Sequence, residues 1–323
     1  MTLTKDDTME TQKIGIVGAR GYVGREILEL LANHAGFEIA FASSRRLAGK
    51  AVSDQVENYD GELQYEELSP GDVRAAEPDA VVLALPNGLS APFVDLFDRK
   101  SPQTVLVDVS SDHRFDAGWQ YAQPERFRDE ISTATRIANP GCYATGAQLA
   151  LAPFVDHLSG TPTVFGVSGY SGAGTKPSPK NDTERLRDNL MPYKLTGHTH
   201  EREVGEHIDH PIHFTPHVAP FFRGITLTIS MEFEHAKHED ELWARMKNTY
   251  GDEPLIELQD EAPLVRDNAH EHHVAIGGLD VSGDGEHAVV VATLDNLLKG
   301  AATQAVQNLN LACGYDELTG IDI

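Results

Sequence analysis

The sequence predicts an α/β protein in which a doubly wound parallel sheet is joined to a second, α+β domain built on a mixed sheet. Three observations carry this. Short apolar, β-branched runs recur in the first half with crossover-length segments between them. A glycine-rich turn separates the first such run from a helical pattern. Longer, partly alternating runs fill the second half. At 323 residues, with 40% hydrophobic and 24% charged residues, the chain can form about two domains of the usual size with ample core.

Residues 1–12 are charged without apolar periodicity and read as a flexible tail. From Lys13, the residues Ile14, Ile16 and Val17 predict a strand ending at Gly18, and Val23, Ile27, Leu28, Leu30 and Leu31 recur at helical spacing. Apolar runs at 37–42, 80–85 and 105–109 predict further parallel strands. After Asn139-Pro140-Gly141, residues 143–158 carry a helical pattern. Strands are expected over 164–167, 225–233, 274–276 and 289–293, with a helix near 239–250. A last helix over 297–311 would stop at Gly314. The boundary between the domains is placed between residues 141 and 142.

Composition removes several functional classes. Asp and Glu number 50 against 26 Lys and Arg, leaving a net charge of −24, a field that repels a phosphate backbone and argues against a nucleic-acid partner. No run approaches the ~18 apolar residues of a membrane span, and the start lacks signal-peptide order, so a cytoplasmic protein without a membrane partner is expected. Cys142 and Cys313 are the two cysteines, too few for a disulfide framework.

Four stretches carry chemistry. Gly18-Ala19-Arg20-Gly21-Tyr22-Val23-Gly24 lies between the first strand and helix. There glycines let the backbone approach a pyrophosphate at a helix N-terminus, the signature of a Rossmann-type dinucleotide site. At the end of the second strand, where an acidic residue would read the ribose of NAD, stand Ser43, Ser44, Arg45 and Arg46; hydroxyls and guanidinium groups favour NADP(H). Cys142 opens a helix, where the positive end of the dipole lowers a thiol's pKa, so it is the candidate nucleophile, whereas Cys313 reads as inert core. Gly166 to Gly174 is dense in glycine and offers N–H groups for an anion, with Ser168 and Ser171 adding hydroxyls; a tight connection between strands is the alternative.

The many histidines do not suggest a metal. His200-Glu201 and His270-Glu271 are followed by Val204 and Val274 where a zinc motif needs histidine. His207, His210 and His213 read as surface residues. His198 and His200 are the candidates to exchange a proton with the thiol, and if the segment is extended both face one side; the residues alone leave that choice open.

Taken together, GARGYVG, NPGCYATGAQLALAP around Cys142, SGYSGAG, GHTHE at 197–201, FTPHVAPFFRGI at 214–225 and DNLLKGAATQAVQNLNLACG at 295–314 resemble the N-acetyl-γ-glutamyl-phosphate reductases of arginine biosynthesis, from about Lys13 to the C-terminus. The resemblance implies a semialdehyde dehydrogenase-like oxidoreductase, a homodimer or homotetramer. An NADP-binding domain over 13–141 would be completed by the helix of 297–323, with a catalytic and oligomerisation domain over 142–296. It assigns Cys142 as nucleophile, His200 as acid/base, Arg114 to the substrate phosphate and Asn296 to the nicotinamide. Further substrate contacts are expected at Asn139, Ser168, Gly169, Ser171, Gly172, Lys176, His198, His217 and Arg223. One departure is Thr175, where members often carry arginine. The expected substrate is a small acyl phosphate, reduced through a thioester on Cys142. The alternatives are another acyl group, aspartyl or carrier-linked aminoadipyl, or a regulator that senses NADP without chemistry.

Overall fold

The computed structural model describes residues 11–323, and the expected tail over 1–12 lies outside the described residues up to residue 10; Gln12 already belongs to the first strand. The first unit runs β1 (Gln12–Val17), α1 (Tyr22–Leu31), β2 (Phe37–Ser43), β3 (Tyr65–Glu66), α2 (Pro70–Ala75), β4 (Ala80–Leu83), α3 (Ala91–Lys100), β5 (Val105–Asp108), β6 (Gln120–Tyr121), α4 (Pro124–Ile131) and β7 (Arg136–Ala138). Its sheet has the order β3-β2-β1-β4-β5-β7-β6 with every pair parallel. All residues of β4 and β5 are buried, as helices on both faces require of a parallel sheet.

The second unit contains α5 (Cys142–Leu151), β8 (Leu158–Gly169), α6 (Thr183–Leu186), β9 (Met191–Pro192), α7 (Thr199–Ile208), β10 (His213–Ala219), β11 (Ile225–Phe233), α8 (Glu239–Tyr250), β12 (Ile256–Gln259), β13 (Val274–Val281) and β14 (His287–Leu294). They form a mixed sheet of order β12-β13-β14-β11-β8-β10-β9. Tyr143 and Leu149 of α5 and Leu242 of α8 share one core with Leu227, Ile229 and Val290 of this sheet. The strand β11 alternates buried with exposed or half-buried residues, the pattern of a sheet packed on one face.

Three elements differ from expectation. The helix expected over 143–158 ends at Leu151, with Ala152 still in helical geometry as its C-cap, because Pro153 has no N–H to continue the ladder. The segment around Gly197-His198-Thr199-His200 is not extended: it opens α7. The last helix begins as a π-turn, Leu298–Ala302, before α9 (Thr303–Cys313), a distortion often found beside functional sites.

Three contacts position the site. Gly18 has φ +87, and a Cβ there would overlap the Ala84 carbonyl, so only glycine carries the turn out of β1. Gly18 and Ala19 both donate N–H to the Ser43 carbonyl at 3.1 Å, tying the glycine turn to the end of β2. Ala305, Val306 and Leu309 of α9 pack with Ile14, Ile27 and Val107 of the first unit, so the chain returns to the parallel sheet after the mixed one. Among the described residues no helix is long and apolar enough to cross a membrane.

Lys299, on the π-turn, is wholly buried, and its Nζ donates to Glu125 Oε1 at 2.5 Å and Gln307 Oε1 at 2.6 Å. Removing one member of a buried pair strands the other charge. Lys299→Met should therefore lower the unfolding free energy by about 3–5 kcal/mol in urea titration, and adding Glu125→Met should recover most of the loss. Equal stability of Lys299→Met and wild type would show that the pair does not hold α4 to the C-terminal segment.

Candidate active site

Cys142 is the first residue of α5, and Gly141 before it is the N-cap with φ −79 and ψ 149. The turn is held by Glu203, a wholly buried carboxylate on α7. Its Oε1 accepts the Gly141 N–H at 2.8 Å and the Tyr121 hydroxyl at 2.9 Å, and its Oε2 accepts Arg114 Nη1 at 3.0 Å. Arg114 donates its remaining groups to the carbonyls of Asn139 at 2.9 Å and Val109 at 3.1 Å. His207 Nε2 lies 2.9 Å from the Arg114 carbonyl, and its ring stacks on Tyr121 at 3.5 Å, so this histidine is half-buried in the scaffold and not the expected surface residue.

His200 lies one turn before Glu203 on α7. Its Nε2 is 3.9 Å from Glu203 Oε2, and it flanks the turn so closely that a Cβ at Gly141 would overlap the imidazole and stand 2.5 Å from Arg114 Nη1. Glycine is required there by close approach. His198 is the N-cap of α7, its Nδ1 accepting the His200 N–H at 3.1 Å, and the two rings are 4.9 Å apart.

Burial sets the charge state of this pair. It pushes the Cys142 thiol up to about 11, outweighing the Arg114 guanidinium and the backbone N–H groups that favour the thiolate. This corrects the expectation of a depressed thiol. The helix start and its N–H donors are present, but desolvation is the larger effect. Burial, reinforced by Arg114, brings His200 down to about 3. His198 is also held at about 3, by burial first and then by His200, Lys194 and Lys180. Near pH 7 the site holds a neutral thiol and two neutral imidazoles.

The nucleotide loop is built for an anion. α1 begins at Tyr22 with no acidic residue in its first turn, leaving the initial N–H groups of the helix free of a competing carboxylate. Ser43 and Ser44 are buried at the end of β2, while Arg45 and Arg46 are exposed beyond it. Arg20 reaches across to donate to Thr175 Oγ1 at 3.0 Å. Thr175 therefore accepts a bond that an arginine in its place would not.

The chain resembles known proteins. Residues 13–134 match the semialdehyde dehydrogenase NAD binding domain and residues 142–296 match the semialdehyde dehydrogenase dimerisation domain. A protein of Xanthomonas oryzae pv. oryzae called N-acetyl-gamma-glutamyl-phosphate reductase is 54% identical over 97% of this chain and 99% of its own length. The chain belongs to the N-acetyl-γ-glutamyl-phosphate reductase family. Its namesake from Stenotrophomonas maltophilia is 52% identical over 96% of this chain and 98% of its own. The fold is shared with aspartate semialdehyde dehydrogenase II of Vibrio cholerae, at a TM-score of 0.78 and 19% identity, over 94% of this chain and 99% of that one. The chain is thus an oxidoreductase with a dinucleotide-binding domain of the NAD(P) type.

Within this family member, the remaining expected site residues fall into two groups. Cys142, His198, His200 and Arg114 converge as described. Asn139 is wholly buried and bonded to Asn308 Nδ2 and the Ala301 carbonyl, which fastens the Cys142 turn to the C-terminal segment. Arg223 is paired with Asp295 and Glu26. Asn296 accepts the Gly224 N–H at 2.7 Å and donates to Ser171 Oγ at 2.9 Å. The N–H groups of Gly169, Tyr170, Ser171 and Gly174 bond to backbone carbonyls at 2.9–3.0 Å, and Ser168 Oγ donates to the Gly169 carbonyl. The loop offered as an anion cradle thus has these groups committed to the 221–224 turn and to itself. Gly172 and Lys176 are exposed, and His217 is half-buried with its ring 4.6 Å from Phe165. Sequence reading did not find Glu203 or Tyr121. Glu203 had a signal, three residues after His200, visible only once the segment is read as a helix. Among the described residues no group of three or more His, Cys, Asp or Glu could hold a metal ion.

The depressed histidines make stability depend on acid. Each has a folded value near 3 against 6.5 unfolded, so between these pH values the unfolded chain binds more protons. Their contribution is fully present above about pH 6.5 and lost as pH falls toward 3. Denaturant titrations from pH 7.5 to 4 should show falling stability in the wild type and a shallower fall in His200→Asn, at about 1.4 kcal/mol per tenfold difference in proton affinity. Identical slopes would show that His200 is not held neutral by the fold.

Proposed function

We propose that the chain reduces N-acetyl-γ-glutamyl phosphate to N-acetylglutamate 5-semialdehyde and phosphate with NADPH, a step of arginine biosynthesis, through a thioester on Cys142. The observation that carries this is the placement of a thiol at the first residue of α5, on a turn clamped by Glu203 and flanked by a neutral His200. The names of its close relatives point to the same substrate.

The chemistry follows from the charge state. A carboxylate accepts hydride poorly, and an acyl phosphate already carries a leaving group. The thiol proton passes to the His200 imidazole as Sγ attacks the acyl carbon; the bond to phosphate oxygen breaks and phosphate leaves with the electron pair. Glu203 Oε2, 3.9 Å from Nε2, steadies the imidazolium that forms. A dinucleotide held by the Gly18 to Gly24 turn and by Ser43 to Arg46 would supply the hydride that the thioester carbon accepts. His200 then protonates the oxyanion of the thiohemiacetal and takes the hydroxyl proton back as the C–S bond breaks, releasing the aldehyde and restoring the thiol. A pair that is neutral at rest keeps the nucleophile inert until substrate is seated.

NADP is favoured over NAD because residues 43–46 include two serines and two arginines and no acid. The match to a dimerisation domain supports a homodimer or homotetramer as the active species.

Phosphate-dependent oxidation of N-acetylglutamate semialdehyde, followed at 340 nm with NADP, tests the assignment directly. Cys142→Ser should lose nearly all turnover while still binding NADPH. His200→Asn should lower kcat by about 10² to 10⁴. His198→Asn should change kcat little, since asparagine also caps a helix. Replacing Arg45 and Arg46 with Ala should raise KM for NADP far more than for NAD. Faster oxidation of aspartate semialdehyde, or turnover in Cys142→Ser, would contradict the proposal.

A further inference from the structure

The segment from Gly174 to His198 is distinctive in a chain of charge −24: it contains Lys176, Lys180, Arg185, Arg187 and Lys194 against Asp182, Glu184 and Asp188, a local excess of two positive charges. It begins and ends at left-handed glycines, Gly174 with φ +73 and Gly197 with φ +65. Lys180 Nζ sits over the ring of Tyr193, 4.5 Å from its centre. From there the Tyr193 ring is 5.5 Å from His198, and His198 is 4.9 Å from His200. Lys194 holds a left-handed backbone with φ 41, a strained conformation for a residue with a Cβ.

The substrate named under the proposed function is anionic at both ends, and this inference rests on that reading. The two arginines expected to meet the substrate are already committed: Arg114 to Glu203 and two carbonyls, Arg223 to Asp295 and Glu26. Among the described residues neither Lys180 nor Lys194 has a carboxylate within ion-pair distance, yet both ammonium groups act on His198. Lys180 stands over Tyr193, whose ring borders His198, and Lys194 follows Tyr193 in the chain, so both belong to the His198 edge of the site, where a chain whose acyl carbon faces Cys142 can extend its far end. That end is the α-carboxylate.

We propose that Lys180 and Lys194 hold the α-carboxylate of the N-acetylglutamyl substrate and so select acyl phosphates of α-amino acid type over those lacking the carboxylate. Phosphate, released next to Cys142, is held elsewhere. Two ammonium groups at this edge of the site also draw an anion through the acidic field of the protein.

The test uses Lys180→Met and Lys194→Met in the full chain, with Lys247→Met on α8 as a control. The first readout is alkylation of Cys142, followed by mass spectrometry, with anionic iodoacetate and neutral iodoacetamide at one pH; the ratio of the two rates reports positive charge at the site and needs no turnover. Lys180→Met and Lys194→Met should each lower that ratio at least about threefold, and Lys247→Met should not. The second readout is KM. Lys180→Met and Lys194→Met should each raise KM for N-acetylglutamate semialdehyde at least about tenfold, with KM for phosphate and kcat/KM for 4-acetamidobutanal, which lacks the carboxylate, unchanged. An unchanged alkylation ratio, a rise in KM for phosphate instead, or equal losses on both aldehydes would overturn the inference. Absence of phosphate-dependent oxidation of either aldehyde by the wild type would overturn the proposed function instead, and the alkylation ratio would still decide whether these lysines place charge beside Cys142.

Discussion

Three donors from three separate parts of the chain converge on the buried carboxylate of Glu203: the Gly141 N–H before Cys142, the Tyr121 hydroxyl at the end of the parallel sheet, and the Arg114 guanidinium. A carboxylate with no exposure must have its oxygens satisfied, so these partners are obligatory and their positions are locked to α7. Because α7 also carries His200, the same carboxylate fixes Cys142 and His200 relative to each other across the two units. Asn139, bonded to Asn308 and the Ala301 carbonyl, fastens the other side of the turn to the returning C-terminal segment. The site is therefore built on a scaffold with little freedom, the condition under which small displacements of a thiol would cost large factors in rate.

That rigidity has an electrostatic consequence. Burial that orders the thiol also raises its pKa, and burial that orders His200 lowers its own. Opposite shifts of this kind separate the charged forms of acid and base and leave both neutral near pH 7. In the proposed reaction the ion pair is formed by proton transfer when the acyl carbon is in place, rather than stored beforehand. Arg114 and Arg223, both expected on the substrate, are bonded within the scaffold.

The sequence made legible what depends on neighbours in the chain. The alternation of apolar runs, the turn at Gly18 to Gly24 and the Cys142 helix start are local patterns, and each stands where it was expected. What escaped depends on tertiary contact. The thiol's pKa has a helix-start contribution readable from Gly141-Cys142 and a larger burial contribution that is not. The glycine-rich loop over 166–174 has the composition of an anion cradle, but its N–H groups were matched to partners in the 221–224 turn, more than 45 residues away. Reading Gly197 to His200 as extended hid the spacing of His200 and Glu203, and with it the residue on which the site depends.

The central claim is that Cys142 carries the acyl group. It is tested most directly by mixing the protein with N-acetyl-γ-glutamyl phosphate in the absence of NADPH, quenching in acid and locating the adduct by peptide mass spectrometry. The account predicts one N-acetylglutamyl group per chain on the peptide containing Cys142, with release of one phosphate, and loss of that group on adding NADPH. Phosphate release with no adduct, or turnover with NADPH under conditions where Cys142 is never acylated, would contradict it.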